Sequence, residues 1–138
     1  MSSDDYYRRM GIVAAAMTKS TEYCQYPIAC LAVWIEPAVL LDQIYFFRDR
    51  GDNVIGYMTW ALLAEDTEQR LLLDPDVIFH FREWNEGDRL WIMDFVLLDG
   101  RVKTVVKDVR RLFPGFNQAK SLRRREDGSI RKITTWRR

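Results

Sequence analysis

A run of twelve residues from Arg89 to Gly100, RLWIMDFVLLDG, is apolar almost throughout between Leu90 and Leu98. Such a run predicts a strand that is covered on both faces, so apolar layers are expected on both sides of a sheet. Asp94 places a carboxylate in the middle of this strand. Because burying an unpaired carboxylate is costly and shifts its pKa, Asp94 is a candidate functional residue. The alternative is a structural aspartate that backbone N–H groups or Arg89 satisfy.

The rest of the chain predicts an α+β fold with a mainly antiparallel sheet flanked by helices. The apolar run at 28–35 fits a helix or a strand equally well. With 138 residues the chain is long enough for one core, and we predict a single domain over 1–138. The predicted helices cover 5–18, 61–72 and 101–113, the predicted turns 49–53 and 126–129, and the predicted strands the runs QIYFF, VIGYMTW, RLWIMDFVLL, FNQAKSLRR and IRKITTW.

Charge is divided unevenly along the chain. Residues 1–100 carry a net charge of −9 and residues 101–138 a net charge of +10, although the whole chain is close to neutral at +1. A basic third of this kind attracts an acidic protein, a phosphate-bearing cofactor or nucleic acid. The other interpretation is a solvated face that balances the acidic part of the chain.

The composition argues against several classes of protein. Two cysteines fit reduced thiols better than a disulfide framework or a four-ligand zinc site, and we expect no metal. A single histidine, His80, excludes chemistry that needs two imidazoles. The chain has no apolar run of 18 residues and a polar, charged start, so we expect neither a membrane span nor a signal peptide, and a cytoplasmic protein.

The junction between the strand and the following helix is a candidate binding site. A helix that starts just after a glycine turn offers free N–H groups and a positive dipole, which suit a pyrophosphate or the polar arm of phosphopantetheine. The candidate residues for binding such a group, which would be the donor in a transfer reaction, are therefore Gly100, Arg101 and Val102. Alternatively, the turn only connects the two elements.

Several segments together resemble one known family, the RTX toxin-activating (hemolysin-activating) lysine acyltransferases, a divergent branch of the GNAT-like acyltransferases. The resemblance runs from about Met10 to Ser121. The matching segments are CQYPIACLAVWIEPAVLLDQIYFF, IGYMTWALL, EWNEGDRLWIMDFVLLDG and RRLFP, and the most specific residues are Pro37-Ala38, Trp60-Ala61, Trp84, Gly87-Asp88-Arg89, Trp91, Asp94 and Phe113-Pro114.

The resemblance implies a GNAT-like fold and the transfer of a fatty acyl group from acyl carrier protein to a lysine ε-amine of a protein or peptide, such as an RTX-type protoxin. The acyl-phosphopantetheine of the carrier is then the donor, with no permanently bound cofactor, and a homodimer is expected. The family's catalytic aspartate falls on Asp94. The position of its histidine is held by Tyr23, and Ser20 matches a serine that often precedes that histidine.

These residues suggest how the reaction proceeds. A lysine amine has a pKa of about 10.4 and must lose a proton before it attacks a thioester. We therefore expect Asp94 to act as base or to orient the amine, directly or through water. Tyrosine is a poor base at neutral pH, so we expect Tyr23 to be an acid or hydrogen-bond donor to the leaving thiolate, with Ser20 orienting the site.

Two other residues are alternatives for the missing histidine. Cys24 is an acyl-accepting nucleophile if its thiolate is stabilised, or else a small buried thiol. His80 takes over the role of the histidine from another segment, or else it is a packed or surface residue.

The resemblance also gives the basic third a partner. Acyl carrier proteins are acidic, so we expect charge to steer and dock the donor. A non-catalytic relative that binds the carrier or a partner protein, and a nucleic-acid-binding module, are the other two hypotheses; the sparse aromatic residues of the basic third make nucleic acid the weaker one. The expected docking residues are Arg110, Arg111, Arg123, Arg124 and Arg125.

Overall fold

A computed structural model describes residues 1–100 and 102–137 of the chain. Five strands form one open sheet in chain order: β1 (Ile44–Arg48), β2 (Val54–Leu63), β3 (Arg89–Leu97), β4 (Gln118–Arg124) and β5 (Ile130–Arg137). The α-helices are α1 (Ser3–Lys19), α2 (Glu36–Leu40), α3 (Glu65–Leu73) and α4 (Val102–Leu112). Short 3₁₀ turns lie at Tyr23–Gln25 and Phe81–Trp84, and a π-helical turn at Leu31–Ile35.

The sheet is mixed but mainly antiparallel. Every neighbouring pair of strands is antiparallel except β3 and β4, which run parallel because α4 crosses over between them. The predicted α+β class and the predicted kind of sheet are confirmed, whereas the GNAT-like topology stays a prediction. No helix among the described residues is both long and apolar enough to traverse a lipid bilayer.

Both faces of the sheet carry a hydrophobic core. On one face, which we call the α4 face, Val105 and Val109 of α4 pack with Met58 and Ile92 of the strands. On the other, the α1 face, the core includes Val13 of α1, Val39 of α2 and Tyr57, Trp91 and Val96 of the strands. Strand β3 is therefore covered on both sides, as its apolar sequence predicted.

Two segments differ from their sequence-based prediction or resolve it. The helix predicted at 61–72 is wrong at its start, because Ala61–Leu63 complete β2 and the helix begins at Glu65. These three residues are good helix formers, but Ala61 and Leu63 face one core while Leu62 faces the other, which is the period of a strand. The undecided run at 28–35 is helical from residue 29 onward and leads through the π-helical turn into α2.

A β-bulge in β3 determines which way Asp94 points. Thr59 of β2 lies opposite Asp94, but the next residue, Trp60, lies opposite Ile92, so Met93 is an extra residue in β3. Without it, strict alternation would place Asp94 on the same side as Ile92, under α4. The bulge instead turns Asp94 to the α1 face, the side on which Tyr23 also packs.

The residues around the start of β3 that carried the family resemblance anchor this strand. The N–H group of Gly87 donates to the carbonyl of Leu62 at 3.0 Å. A Cβ at Gly87 would lie 2.2 Å from the backbone oxygen of Leu63, so only glycine fits there. Arg89 Nη1 and Trp91 Nε1 both donate to the buried carboxylate of Glu68, each at 2.7 Å. This part of the motif therefore stabilises the strand that carries Asp94.

We expect Gly87→Ala to lower the free energy of unfolding by about 1–3 kcal/mol, because backbone atoms surround the added methyl group and cannot move aside cheaply. Gly11→Ala is the matched control: Gly11 lies within α1, where a Cβ meets no atom within 4 Å. This change should stabilise the protein by roughly 0.5–1 kcal/mol. Urea denaturation of both variants tests the pair, and equal effects would contradict the close approach at Gly87.

Candidate active site

Asp94 is held by hydroxyl groups from two different elements. The Tyr23 hydroxyl donates to Asp94 Oδ1 at 3.1 Å, and the Thr59 hydroxyl donates to Oδ2 at 3.3 Å. The backbone N–H of Asp94 in turn donates to the oxygen of the Thr59 hydroxyl at 3.1 Å. Asp94 as a whole residue is partly exposed, but its carboxyl group is buried. A carboxylate held by two neutral donors is poised for proton transfer.

The surroundings of Asp94 bring its titration close to neutral pH. Burial raises the pKa of Asp94 to about 6, although hydrogen bonds from Tyr23 and Thr59 oppose the shift. The nearby Glu22 raises this pKa further. A carboxyl group of this kind is mostly ionised at pH 7 and is a stronger base than an ordinary aspartate.

Tyr23 reaches Asp94 from the turn that follows α1. The Tyr23 N–H donates to the Ser20 hydroxyl at 3.2 Å, and the rings of Tyr23 and Tyr26 meet edge to face at 5.1 Å. Burial and the charge of Asp94 raise the pKa of Tyr23 far above its ordinary value, so its hydroxyl stays protonated. At neutral pH the Tyr23 hydroxyl is therefore a hydrogen-bond donor to Asp94. The hydrogen bond from its backbone to Ser20 ties Tyr23 to the end of α1.

The alternatives to this pair lie elsewhere. Arg89 donates its hydrogen bond to Glu68, so the alternative in which Arg89 satisfies the carboxylate of Asp94 is wrong. The expectation of a buried thiol at Cys24 is also wrong, because this residue is exposed and its Sγ contacts the carbonyl of Thr21 at 3.7 Å. His80 is exposed and its backbone N–H donates to Glu83 at 2.8 Å.

Only some of the predicted donor-binding residues lie within the described part of the chain. Gly100 is exposed and precedes α4, which begins at Val102, so the structure has the predicted glycine turn and helix start. Arg101 lies outside the described residues. The side chain of Val102 does so as well.

The predicted docking arginines divide into two kinds. Arg124 is a structural residue, because its guanidinium donates to the carbonyls of Leu71 and Gly128. Arg125 closes the β4–β5 turn by donating to Ser129 and Ile130. The remaining three, Arg110, Arg111 and Arg123, are exposed.

Sequence reasoning missed three residues of the site. Thr59 and Tyr57 lie on β2, two residues apart and on the face of Asp94, and the hydroxyl of Tyr57 is buried. Tyr26 supports the ring of Tyr23. A polar Thr59 and a Tyr57 inside the apolar run VIGYMTWALL were the available signal, but the cross-strand register needed to use it depends on the bulge.

An ionisable carboxylate beside a fixed hydroxyl donor, on an α+β scaffold, fits a group-transfer enzyme that moves protons at neutral pH. The comparison with known proteins says which class this is: the model of the RTX toxin acyltransferase family matches residues 3–137. The chain belongs to that family. The resemblance identified from the sequence is thereby confirmed.

Individual relatives are similar over most of the chain. A leukotoxin-activating lysine-acyltransferase, LtxC of Aggregatibacter actinomycetemcomitans, is 28% identical over 134 residues, 97% of this chain and 78% of that protein. The protein-lysine myristoyltransferase HlyC of Escherichia coli is 28% identical over 105 residues, 76% of this chain and 61% of that protein. An uncharacterized protein of Synechocystis is 26% identical over 130 residues, 92% of this chain and 87% of that protein.

Asp94→Asn should stabilise the folded protein at neutral pH. Because the pKa of Asp94 is raised to about 6 on folding, the folded state binds this proton more tightly than the unfolded chain. The stability that the proton gives is present below pH 4 and is lost as pH rises through 6. The variant should therefore exceed the wild-type free energy of unfolding by up to about 3 kcal/mol at pH 7.5, and by little at pH 4. Urea denaturation at the two pH values measures this, and a variant destabilised equally at both would contradict the assignment.

Proposed function

We propose that this protein transfers a fatty acyl group from the thioester of an acyl carrier protein to the ε-amine of a lysine in a toxin-like protein, on a GNAT-like scaffold. The observation that carries the proposal is the Asp94–Tyr23 hydrogen bond at the β3 bulge, at the positions of the family's aspartate and histidine. LtxC and HlyC, whose names describe protein-lysine acylation, support the reaction type.

Asp94 is the base in this proposal. The lysine ammonium loses one proton to bulk solvent, and the neutral amine attacks the thioester carbon. As the C–N bond forms, a second proton leaves nitrogen for Asp94. A carboxylate whose pKa is about 6 accepts this proton from the strongly acidic nitrogen of the tetrahedral adduct and stays mostly ionised between turnovers.

Tyr23 acts on the leaving group. When the C–S bond breaks, the electron pair goes to sulfur, and the Tyr23 hydroxyl donates a hydrogen bond to the developing thiolate. The thiol has a pKa near 8.5, so the final transfer of the proton from Asp94 to sulfur is downhill. Tyr23 lies next to Asp94 and can relay this proton. Its oxygen accepts the proton of Asp94 while its own hydroxyl proton goes to sulfur, so no phenolate forms. The products are the amide and the free thiol of the carrier.

The parallel pairing of β3 and β4 supports a place for the donor. Strands β3 and β4 face each other at a single registered pair, Trp91 with Lys120, near the start of both strands. Their carboxyl ends lie beyond this pair, and α4 begins next to the end of β3. A pantetheine arm entering there would meet the free N–H groups at the start of α4 and reach Asp94. This supports Gly100, Arg101 and Val102 as donor-binding residues.

Docking of an acidic carrier is supported by charge on the α4 face. Arg123 of β4 lies directly opposite Lys132 of β5, an unfavourable pairing of like charges, and both are exposed. Within the described part of the chain neither has an acidic partner. Arg110 and Arg111 of α4 lie on the same side of the sheet. An acidic partner would relieve the repulsion between Arg123 and Lys132.

Asp94→Asn should reduce acyl transfer by at least about 10²-fold, because the amide cannot act as the base, although it has nearly the same shape and keeps one oxygen as an acceptor for one of the two hydroxyl donors. In the wild-type protein kcat/KM should fall as pH is lowered through about 6, and the variant should lack this limb. Intact-mass measurement of a lysine-containing acceptor incubated with acyl carrier protein provides the rates.

Asp76→Asn, in an exposed loop, is the matched control and should behave as wild type. Full activity of Asp94→Asn would contradict the proposed base. A wild-type protein that binds the acyl carrier without ever deacylating it would instead make this chain a non-catalytic relative.

The double change Arg123→Glu with Lys132→Glu should raise KM for acyl carrier protein on the order of tenfold at low salt, with kcat unchanged. The difference from wild type should shrink at high ionic strength, since salt screens exposed charges. Arg50→Glu with Arg82→Glu changes the net charge by the same amount at two exposed arginines in the acidic part of the chain and is the control. An equal rise in KM for this control would show that only net charge matters and would remove this docking surface.

A further inference from the structure

Tyr57 carries a hydroxyl group that the resting structure does not use. The residue is fully buried, with 0% exposure, and its hydroxyl has no hydrogen-bond partner among the described residues. Leaving such a group unpaired costs about 1–3 kcal/mol, and few buried polar atoms in folded proteins lack a partner. Phenylalanine would fill the same space in the core without this cost. The hydroxyl of Tyr57 is therefore a candidate functional group.

The position of Tyr57 points to Asp94. Tyr57 lies two residues before Thr59 on β2, so the two side chains share the face to which the bulge turns Asp94. Burial raises the pKa of Tyr57 above its ordinary range, and the charge of Asp94, followed by Tyr26, adds to the shift. The hydroxyl is thus within electrostatic reach of the carboxylate and remains a protonated donor.

The donors around Asp94 are too few for the reaction. A tyrosine has one O–H group to donate, and in the resting protein Tyr23 donates it to Asp94. In the proposed reaction the same O–H group is needed at the thioester sulfur. If Tyr23 turns toward the sulfur when the thioester binds, before the amine attacks, Asp94 loses one of its two side-chain donors while it must still be ionised to act as base. Loss of that donor would raise the pKa of Asp94 and protonate the base too early.

We propose that Tyr57 is a positioning residue that replaces Tyr23 as the hydrogen-bond donor to Asp94 when an acyl thioester occupies the site. The inference rests on the proposed function. No covalent bond changes in this exchange: one O–H···O bond is given up and another forms. The unpaired hydroxyl of the resting state gains a partner in the loaded state, which favours the turn of Tyr23 toward sulfur.

The kinetic test uses Tyr57→Phe, which removes only the unpaired hydroxyl. The pH profile of kcat/KM reports the free enzyme, in which Tyr23 holds Asp94, so its limb should stay at about 6. The profile of kcat reports the loaded enzyme, and its acidic limb should move up by about one pH unit. Tyr45→Phe, on the opposite face of the sheet, is the matched control and should change neither profile. Identical kcat profiles for Tyr57→Phe and wild type would overturn the inference.

A second test does not depend on turnover. Carbon-13 NMR follows the Asp94 carboxyl, identified by the loss of its signal in Asp94→Asn. In Tyr57→Phe alone, Asp94 should titrate as in the wild-type protein. In Tyr23→Phe alone, Tyr57 donates to Asp94 in place of the missing hydroxyl. The double variant Tyr23→Phe with Tyr57→Phe lacks both donors, so it should raise the pKa of Asp94 further than Tyr23→Phe alone. Equal titration of Tyr23→Phe and the double variant would overturn the exchange. If the wild-type protein transfers no acyl group, the proposed function fails, and this titration still decides the role of Tyr57.

Discussion

The burial of one carboxylate governs how the rest of the molecule is arranged. Asp94 lies in the central strand of a sheet with a hydrophobic core on each face, where an unpaired charge would be expelled or neutralised. The hydroxyl groups of Tyr23, in the turn after α1, and Thr59, in β2, stabilise the buried carboxylate by donating hydrogen bonds to it. Burial and hydrogen bonding oppose each other at this group, and the balance leaves the pKa near 6, where a base is useful.

The elements around Asp94 each contribute to that balance. The extra residue at Met93 turns the carboxyl to the α1 face, and Gly87 lets the start of β3 approach β2 closely. The hydrogen bonds from Arg89 and Trp91 to the carboxylate of Glu68 stabilise the same strand. Much of the family motif therefore holds a strand in register. The reactive groups themselves are few, which suits a reaction that needs one base, one donor and a crevice for a thioester.

Sequence reasoning located the two central residues but not their setting. Asp94 was visible because a charge inside an apolar run violates the pattern of a buried strand, and Tyr23 because it stands where the family has histidine. The bulge was not visible, since it depends on pairing with β2, and neither therefore was the role of Thr59 or Tyr57. Likewise, Ala61–Leu63 read as helix from local propensity, and only packing on both faces of the sheet makes them strand. Arg124 belonged to the basic cluster by composition, but its bonds to two carbonyls needed coordinates.

We infer that folding moves the pKa of the Asp94 carboxyl into the pH range of the reaction. Direct titration of the wild-type protein by carboxyl carbon-13 NMR tests this without any assumption about substrate or partner. A midpoint near 6 for Asp94 is the predicted result. A midpoint at or below 4, the ordinary range of an aspartate, would contradict the account, because the carboxyl would then be too weak a base for the role proposed here.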